Sequence, residues 1–283
     1  MGGKSGKVAA NREYKDTVFT RLFRDKAKLA ELYNAIAGTS YTADDVTIVT
    51  LDNVIFVGRE NDIAFTIGDR LVVLIEHQST INPNMPLRCL LYIAREYQRL
   101  ADGEAIYSSR LVHIASPEFI VMYNGVDDYP EVAELRLSDA FRGEKGNLEL
   151  KVKVYNVNKG HNEAMMRRSR TLGEYAAFVA CARENIENGL SLEESLKKAV
   201  RDCVNGDILK DFLKNYGSDV INMLSMEFNL EDALRVREKD GIIKGAEKIA
   251  EKMLKRGTPI EYVSEDTELS IERVKEIAKK IKS

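Results

Sequence analysis

The feature that most constrains how this chain can fold is the unbroken apolar run Leu71-Val72-Val73-Leu74-Ile75, which ends abruptly in the polar Glu76-His77-Gln78. A strand with one wet face alternates apolar and polar residues. One that is apolar at every position must be covered on both sides, as a central strand of an α/β sheet is. Just before it, Asp62–Ile67 alternates, and Gly68-Asp69-Arg70 is turn material, so the two segments form a hairpin. Residues 46–57 are dense in β-branched side chains and supply a third strand ahead of the hairpin.

Around this centre the periodicity becomes helical. Val18, Leu22, Leu29, Leu32 and Ile36 place a helix over 12–37, broken near Asp25 and ended by Gly38. Asn82-Pro83-Asn84 opens a helix over Met85–Leu100. Further strands are expected near 111–123 and 148–157. After His161 the pattern is wholly helical, with helices over 163–187, 192–204, 207–215, 219–226 and 231–256. Gly257-Thr258-Pro259 then breaks the chain before two short helices at 260–265 and 270–281. The order is helix, three-strand meander, helix, strands and an all-helical C-terminal region, which is an α/β class. The expected divisions are a flexible basic start (1–12), a core (13–160), a helical region (161–240) and a small tri-helical unit (241–283).

Composition narrows the function only a little. The chain is 44% hydrophobic and 31% charged with no Trp, an ordinary globular balance, and its net charge of -3 carries no global signal for nucleic acid. Basic residues gather in 1–28 and 235–256, and acidic ones in 126–139. Such runs fit solvated faces as well as a surface polarised toward phosphate. Cys89, Cys181 and Cys203 are far apart and form no Cys-x-x-Cys, so neither a zinc cage nor a disulfide framework is expected, and a reducing cytoplasm fits. No apolar run long enough for a membrane span appears, and no apolar segment follows the basic start as a signal peptide requires.

The candidate chemistry lies where polar residues interrupt the apolar pattern. Asp62 opens one strand of the hairpin; Glu76 and Gln78 end the other and share a face, being two apart. With a three-residue loop (68–70), Asp62 faces Glu76 and all three side chains lie together. A two-residue loop would set Asp62 opposite Ile75, so a joint site needs an odd loop or a bulge. Two carboxylates that close repel, and a hard cation such as Mg²⁺ relieves the repulsion. Spacing alone fits equally a strand-end Asp and a Glu exposed at a sheet edge. His77 points to the opposite face and reads as a packed or hydrogen-bonded side chain; His113 and His161 belong to no motif. Arg88, Arg95 and Arg99 share a broad helix face, and Arg167, Arg168 and Arg170 form a second basic cluster. Each suits a solvated surface or a phosphate-contacting ridge.

The run Asn61-Asp62, then Leu74-Ile75-Glu76-His77-Gln78-Ser79, then Asn82-Pro83-Asn84-Met85-Pro86-Leu87-Arg88 and Tyr92 resembles the recombination-promoting nuclease and transposase-like family of the PD-(D/E)XK superfamily. Tyr14-Lys15-Asp16-Thr17-Val18-Phe19 is similar to that family's N-terminal helix motif, and the resemblance covers roughly 13–160. It implies a restriction-endonuclease-like core and a DNA endonuclease dependent on Mg²⁺, with Mn²⁺ as a substitute. Asp62, Glu76 and the backbone carbonyl of His77 would hold the ion. Gln78 stands where the superfamily has Lys, so it can orient a water but brings no charge. Asp16 is a further candidate for the same site. The resemblance also implies a role in recombination, DNA mobility or defence. A non-catalytic DNA-binding or protein-interaction module that keeps the fold is the alternative. The C-terminal unit carries apolar positions at helical spacing in a mixed-charge segment, which suits pairing into a homo-oligomer or binding DNA.

Overall fold

The computed structural model describes residues 17–49, 62–77, 82–100, 107, 109–143 and 146–282. The expected basic start, the motif residues Asp16 and Gln78, and positions 50–57 of the first strand lie outside the described residues. The chain divides into two compact units, Met1–Met226 and Glu227–Ser283.

In the first unit the strands β1 (Val46–Val49), β2 (Asp62–Ile67), β3 (Arg70–His77), β4 (Ser116–Tyr123), β5 (Val132–Arg136) and β6 (Lys151–Asn156) form one mixed sheet in the order β1-β2-β3-β4-β6-β5. The first three make an antiparallel meander, β4 and β6 run parallel to β3, and β5 is an antiparallel edge. The apolar run therefore sits inside the sheet, as its composition requires. Ala64, Leu71, Val73, Ile75, Phe119 and Val121 pack on one side against Met85, Cys89, Tyr92 and Ile93 of α3 (Met85–Leu100). The alternate residues face helices too. Tyr33 of α2 (Lys26–Ala37) stands edge-on to Phe65 at 6.0 Å, and Phe19 of α1 (Val18–Phe23) edge-on to Tyr175 of α5 (Arg170–Glu187) at 5.6 Å. Aromatics fully buried this way each contribute about 2–3 kcal/mol through the apolar area removed from water.

The break between α1 and α2 comes where the sequence placed it. Asp25 caps α2, accepting from the amides of Ala27 and Lys28, and Gly38 ends that helix with φ 70°. Four expectations are corrected. The helix over 163–187 is two, α4 (Glu163–Arg168) and α5, because Ser169 takes an extended backbone and caps α5 at the Leu172 amide. The helices over 207–215, 219–226 and 231–256 are one 46-residue helix, α7 (Lys210–Lys255). Gly217 does not interrupt it: a Cβ there would already touch Val200 of α6 (Leu192–Asn205) at 3.4 Å, so close packing outweighs a propensity cost of about 1 kcal/mol. β5 arises inside the acidic stretch read as a solvated face; it is an edge strand that buries little, with Glu134 paired to Arg136 and Lys151.

The fourth correction decides the site. The β2–β3 loop is two residues, Gly68-Asp69, and Ile67 pairs with Arg70 inside the ladder. Asp62 therefore pairs with Ile75, one step out of line with position 76. Two causes are visible. Gly68 takes φ 54°, the left-handed first position that a tight two-residue hairpin turn uses. Arg70 is also held as strand by its neighbour: its guanidinium bonds to the Glu118 carboxylate on β4, which accepts as well from the Tyr33 hydroxyl at 2.9 Å. A Cβ at position 68 would lie 2.7 Å from the Tyr41 hydroxyl. Gly68→Ala should thus cost about 1–3 kcal/mol in urea unfolding. A variant as stable as the parent would mean the turn is not under this constraint.

In the second unit, the last turns of α7 close a small core with α8 (Ile260–Thr267) and α9 (Ile271–Lys282), centred on Ala250, Val263, Val274 and Ile277. Arg273 of α9 is paired to Glu247 of α7 at 2.6 Å. No helix among the described residues is long and apolar enough to cross a membrane.

Candidate active site at the carboxyl ends of the parallel strands

β3, β4 and β6 end together at His77, Tyr123 and Asn156, and β2 begins at the same end of the sheet with Asp62. The crevice beyond the carboxyl ends of parallel strands is where open α/β sheets bind ligands. Beyond Ile75, Glu76 and His77 pair with Met122 and Tyr123 of β4.

Asp62 is partly buried against the first turns of α3. Burial pushes its carboxyl up to about 7, and the Arg88 guanidinium opposes the rise. Cys89 lies beside it, fully buried; its thiol is pushed up to about 12, first by burial and then by the Asp62 charge. Such a carboxyl changes charge near neutrality and is sensitive to any cation that approaches. The three residues meet because Asp62 begins the strand whose inner row α3 covers.

Of the other expected site residues, Glu76 and His77 are the last two of β3, and their side chains, like that of Arg99 in the last turn of α3, lie outside the described parts. Arg88 stands beside Asp62, where part of its charge serves that carboxylate, while Arg95 is exposed on α3. Arg167 and Arg170 are paired to Glu163 and Glu174 one helical turn away. Exposed pairs of this kind are worth about 0–1 kcal/mol and leave the arginines on the surface. His161 lines a groove of about 240 Å³ with Lys159 and Arg167 at the start of α4.

A second constellation at this end of the sheet was not foreseen. Arg183 of α5 donates to Asn124 Oδ1 at 3.2 Å, to Asn158 Oδ1 at 2.9 Å and to the Asn124 carbonyl. Asn124 also donates to the Tyr175 hydroxyl at 3.4 Å. Asn158 bonds Asn156 and the Gly125 carbonyl, and Asn156 bonds the Tyr129 carbonyl at 2.7 Å. Asn162 at φ 46° bonds the carbonyls of Glu131 and Asn156. Asparagine suits loops of this kind because its amide replaces backbone partners and tolerates a left-handed backbone. The sequence signal was an Asn at the end of each of two strand runs, Tyr123-Asn124 and Tyr155-Asn156.

As for a metal, no group of three or more His, Cys, Asp or Glu side chains comes together among the described residues. They supply one suitable ligand, Asp62, and the hairpin register sets position 76 one step out of line with it. No protein family, curated protein or solved structure matches the chain.

Proposed function

We propose that this chain is a DNA endonuclease dependent on Mg²⁺ or Mn²⁺, built on a PD-(D/E)XK-type core. The observation that carries this reading is the partly buried Asp62 carboxyl, poised near neutrality at the carboxyl ends of β3 and β4. The order of helix, antiparallel meander, helix and parallel strand supports it. A divalent ion bound there would polarise a phosphodiester and acidify a bound water. Asp62 would anchor that ion, with Arg88 offsetting the carboxylate charge otherwise, and Arg95 would lie on the DNA side of α3. Position 76 continues the β3–β4 ladder in unbroken register beyond Ile75, so Glu76 joins as a second ligand only if metal or DNA binding shifts that strand end.

The hairpin register favours a second reading, a non-catalytic DNA-binding or interaction module in which Asp62 and Arg88 are a structural pair. One assay separates them. Supercoiled plasmid is incubated with Mg²⁺, Mn²⁺ or EDTA and with the parent, Asp62→Ala or Glu76→Ala. The nuclease reading expects metal-dependent nicking that falls at least about 100-fold in both variants. Plasmid binding without cleavage under every condition supports the module instead. Loss in Asp62→Ala but not in Glu76→Ala would leave Asp62 as anchor and remove Glu76 from the site.

A further inference from the structure

We propose, on the reading that DNA is this chain's partner, that one face of α7 in the second unit grips the phosphate backbone of a duplex and takes no part in the Asp62 chemistry. Positions 241, 244, 245, 248, 252 and 255 fall on one side of the helix, because steps of three and four residues return to the same face. Arg256 continues the row, its amide still bonded to the Lys252 carbonyl in helical fashion at 3.2 Å. Every one of these positions is glycine, lysine or arginine. Lys255 is bonded to Glu251 at the margin of the row. Lys244, Lys248, Lys252 and Arg256 are exposed and make no ion pair among the described residues.

Two features of the row work against the isolated helix. Like charges four residues apart repel by about 0.2–0.5 kcal/mol a pair, and an approaching polyanion turns that repulsion into attraction. Gly241 and Gly245 lie within the row and each costs the helix about 1 kcal/mol relative to Ala. A Cβ on either would have no neighbour within 4 Å, so no contact within the chain requires the missing side chain. Together they leave bare backbone between the lysines, along which a sugar–phosphate strand can come close.

The opposite face of this stretch of α7 is already occupied. Ala250 packs into the core with Val263 of α8 and Val274 of α9, and Glu247 holds Arg273. The cationic row therefore points to solvent. Ile242 and Ile249 flank it, both exposed, yet two isoleucines are far less than the apolar face that a helix lying in a membrane surface buries. The carboxylates of a second copy, Glu261, Glu265, Asp266 and Glu268, are gathered in and just after the eight-residue α8, about 12 Å long. The free cations run about 18 Å along α7 at one per helical turn. A duplex, with a charge about every 1.7 Å of its axis, offers an anion of that length.

The test uses the full-length protein and a fluorescein-labelled DNA duplex in EDTA, so that binding is read without cleavage. Anisotropy titrations over a series of sodium chloride concentrations give the affinity and its salt slope. The variant carrying Lys244→Gln, Lys248→Gln, Lys252→Gln and Arg256→Gln should bind roughly 100-fold more weakly at about 0.1 M salt, with a slope shallower by about 3–4, since each phosphate contact contributes about 0.9. All four side chains are exposed, so its circular dichroism should match the parent's. Neutralising Lys26, Lys153, Arg201 and Lys214, four exposed cations of the first unit, should move the slope far less. An unchanged slope in the α7 variant, an equal fall in the first-unit variant, or a parent that does not bind the duplex overturns the proposal. A halved mass by light scattering with the slope kept assigns the row to a second copy and overturns it too. Row-dependent binding by a parent that never nicks plasmid keeps the row and removes the nuclease; nicking by a parent whose α7 variant keeps its slope does the reverse.

Discussion

Replacing Asp62 by asparagine should make the protein more stable at pH 8 and leave its stability nearly unchanged at pH 4. In the unfolded chain this carboxyl titrates near 3.8, whereas burial against α3 raises it to about 7 in the native state, with Arg88 opposing. The folded form therefore holds the proton more tightly. The sign follows: what this group contributes is fully present below 3.8, is lost progressively as pH rises through 7, and above that a partly buried charge burdens the native state. Three pKa units correspond to about 4 kcal/mol, and partial exposure lowers the effect, so Asn should gain about 2–4 kcal/mol at pH 8. Urea unfolding of both proteins from pH 4 to pH 8 measures it. A difference between them that does not change with pH would show that Asp62 is solvated and not buried. The nuclease reading adds one signature: millimolar Mg²⁺ should stabilise the parent at pH 8 and not Asp62→Asn, because an ion held only by the native state stabilises it by mass action. A pH effect without a Mg²⁺ effect would keep the burial and remove the ion.

Arg183→Ala should destabilise the protein by about 2–4 kcal/mol without touching the apolar core. Arg183 joins three acceptors on two loops, the Asn124 amide and carbonyl and the Asn158 amide, and Asn124 is only 1% exposed. Removing the guanidinium leaves those acceptors without donors, each costing about 1–3 kcal/mol where water cannot replace it. Arg183→Lys should recover less than half, since an ammonium on a flexible stem cannot span both asparagines as a planar fork does. Denaturant melts of the two variants decide the matter. Equal stability of Arg183→Ala and the parent would mean that Asn124 is held by Tyr175 alone.

The sequence by itself determined much of this protein. The solid run from Leu71 to Ile75 required a strand covered on both sides, and β3 is one, flanked by β2 and β4 with helices over both faces. Helical periodicity placed α2, α3 and α6 closely, because amphipathic spacing, caps and Gly or Pro stops are local signals. Asp62 stood out for the same reason: a carboxylate interrupting an apolar pattern is visible in one dimension. What only the tertiary structure decided is everything that depends on how segments meet. The hairpin register turned on one left-handed glycine and on Arg70 being held by Glu118 from a strand far along the chain, so a shift of one residue moved position 76 out of line with Asp62. β5 gave no apolar signal because it is an edge strand that buries little. The meeting of Arg183 with Asn124 and Asn158 was set by a helix docking beside the strand ends, a matter of packing that sequence spacing does not encode.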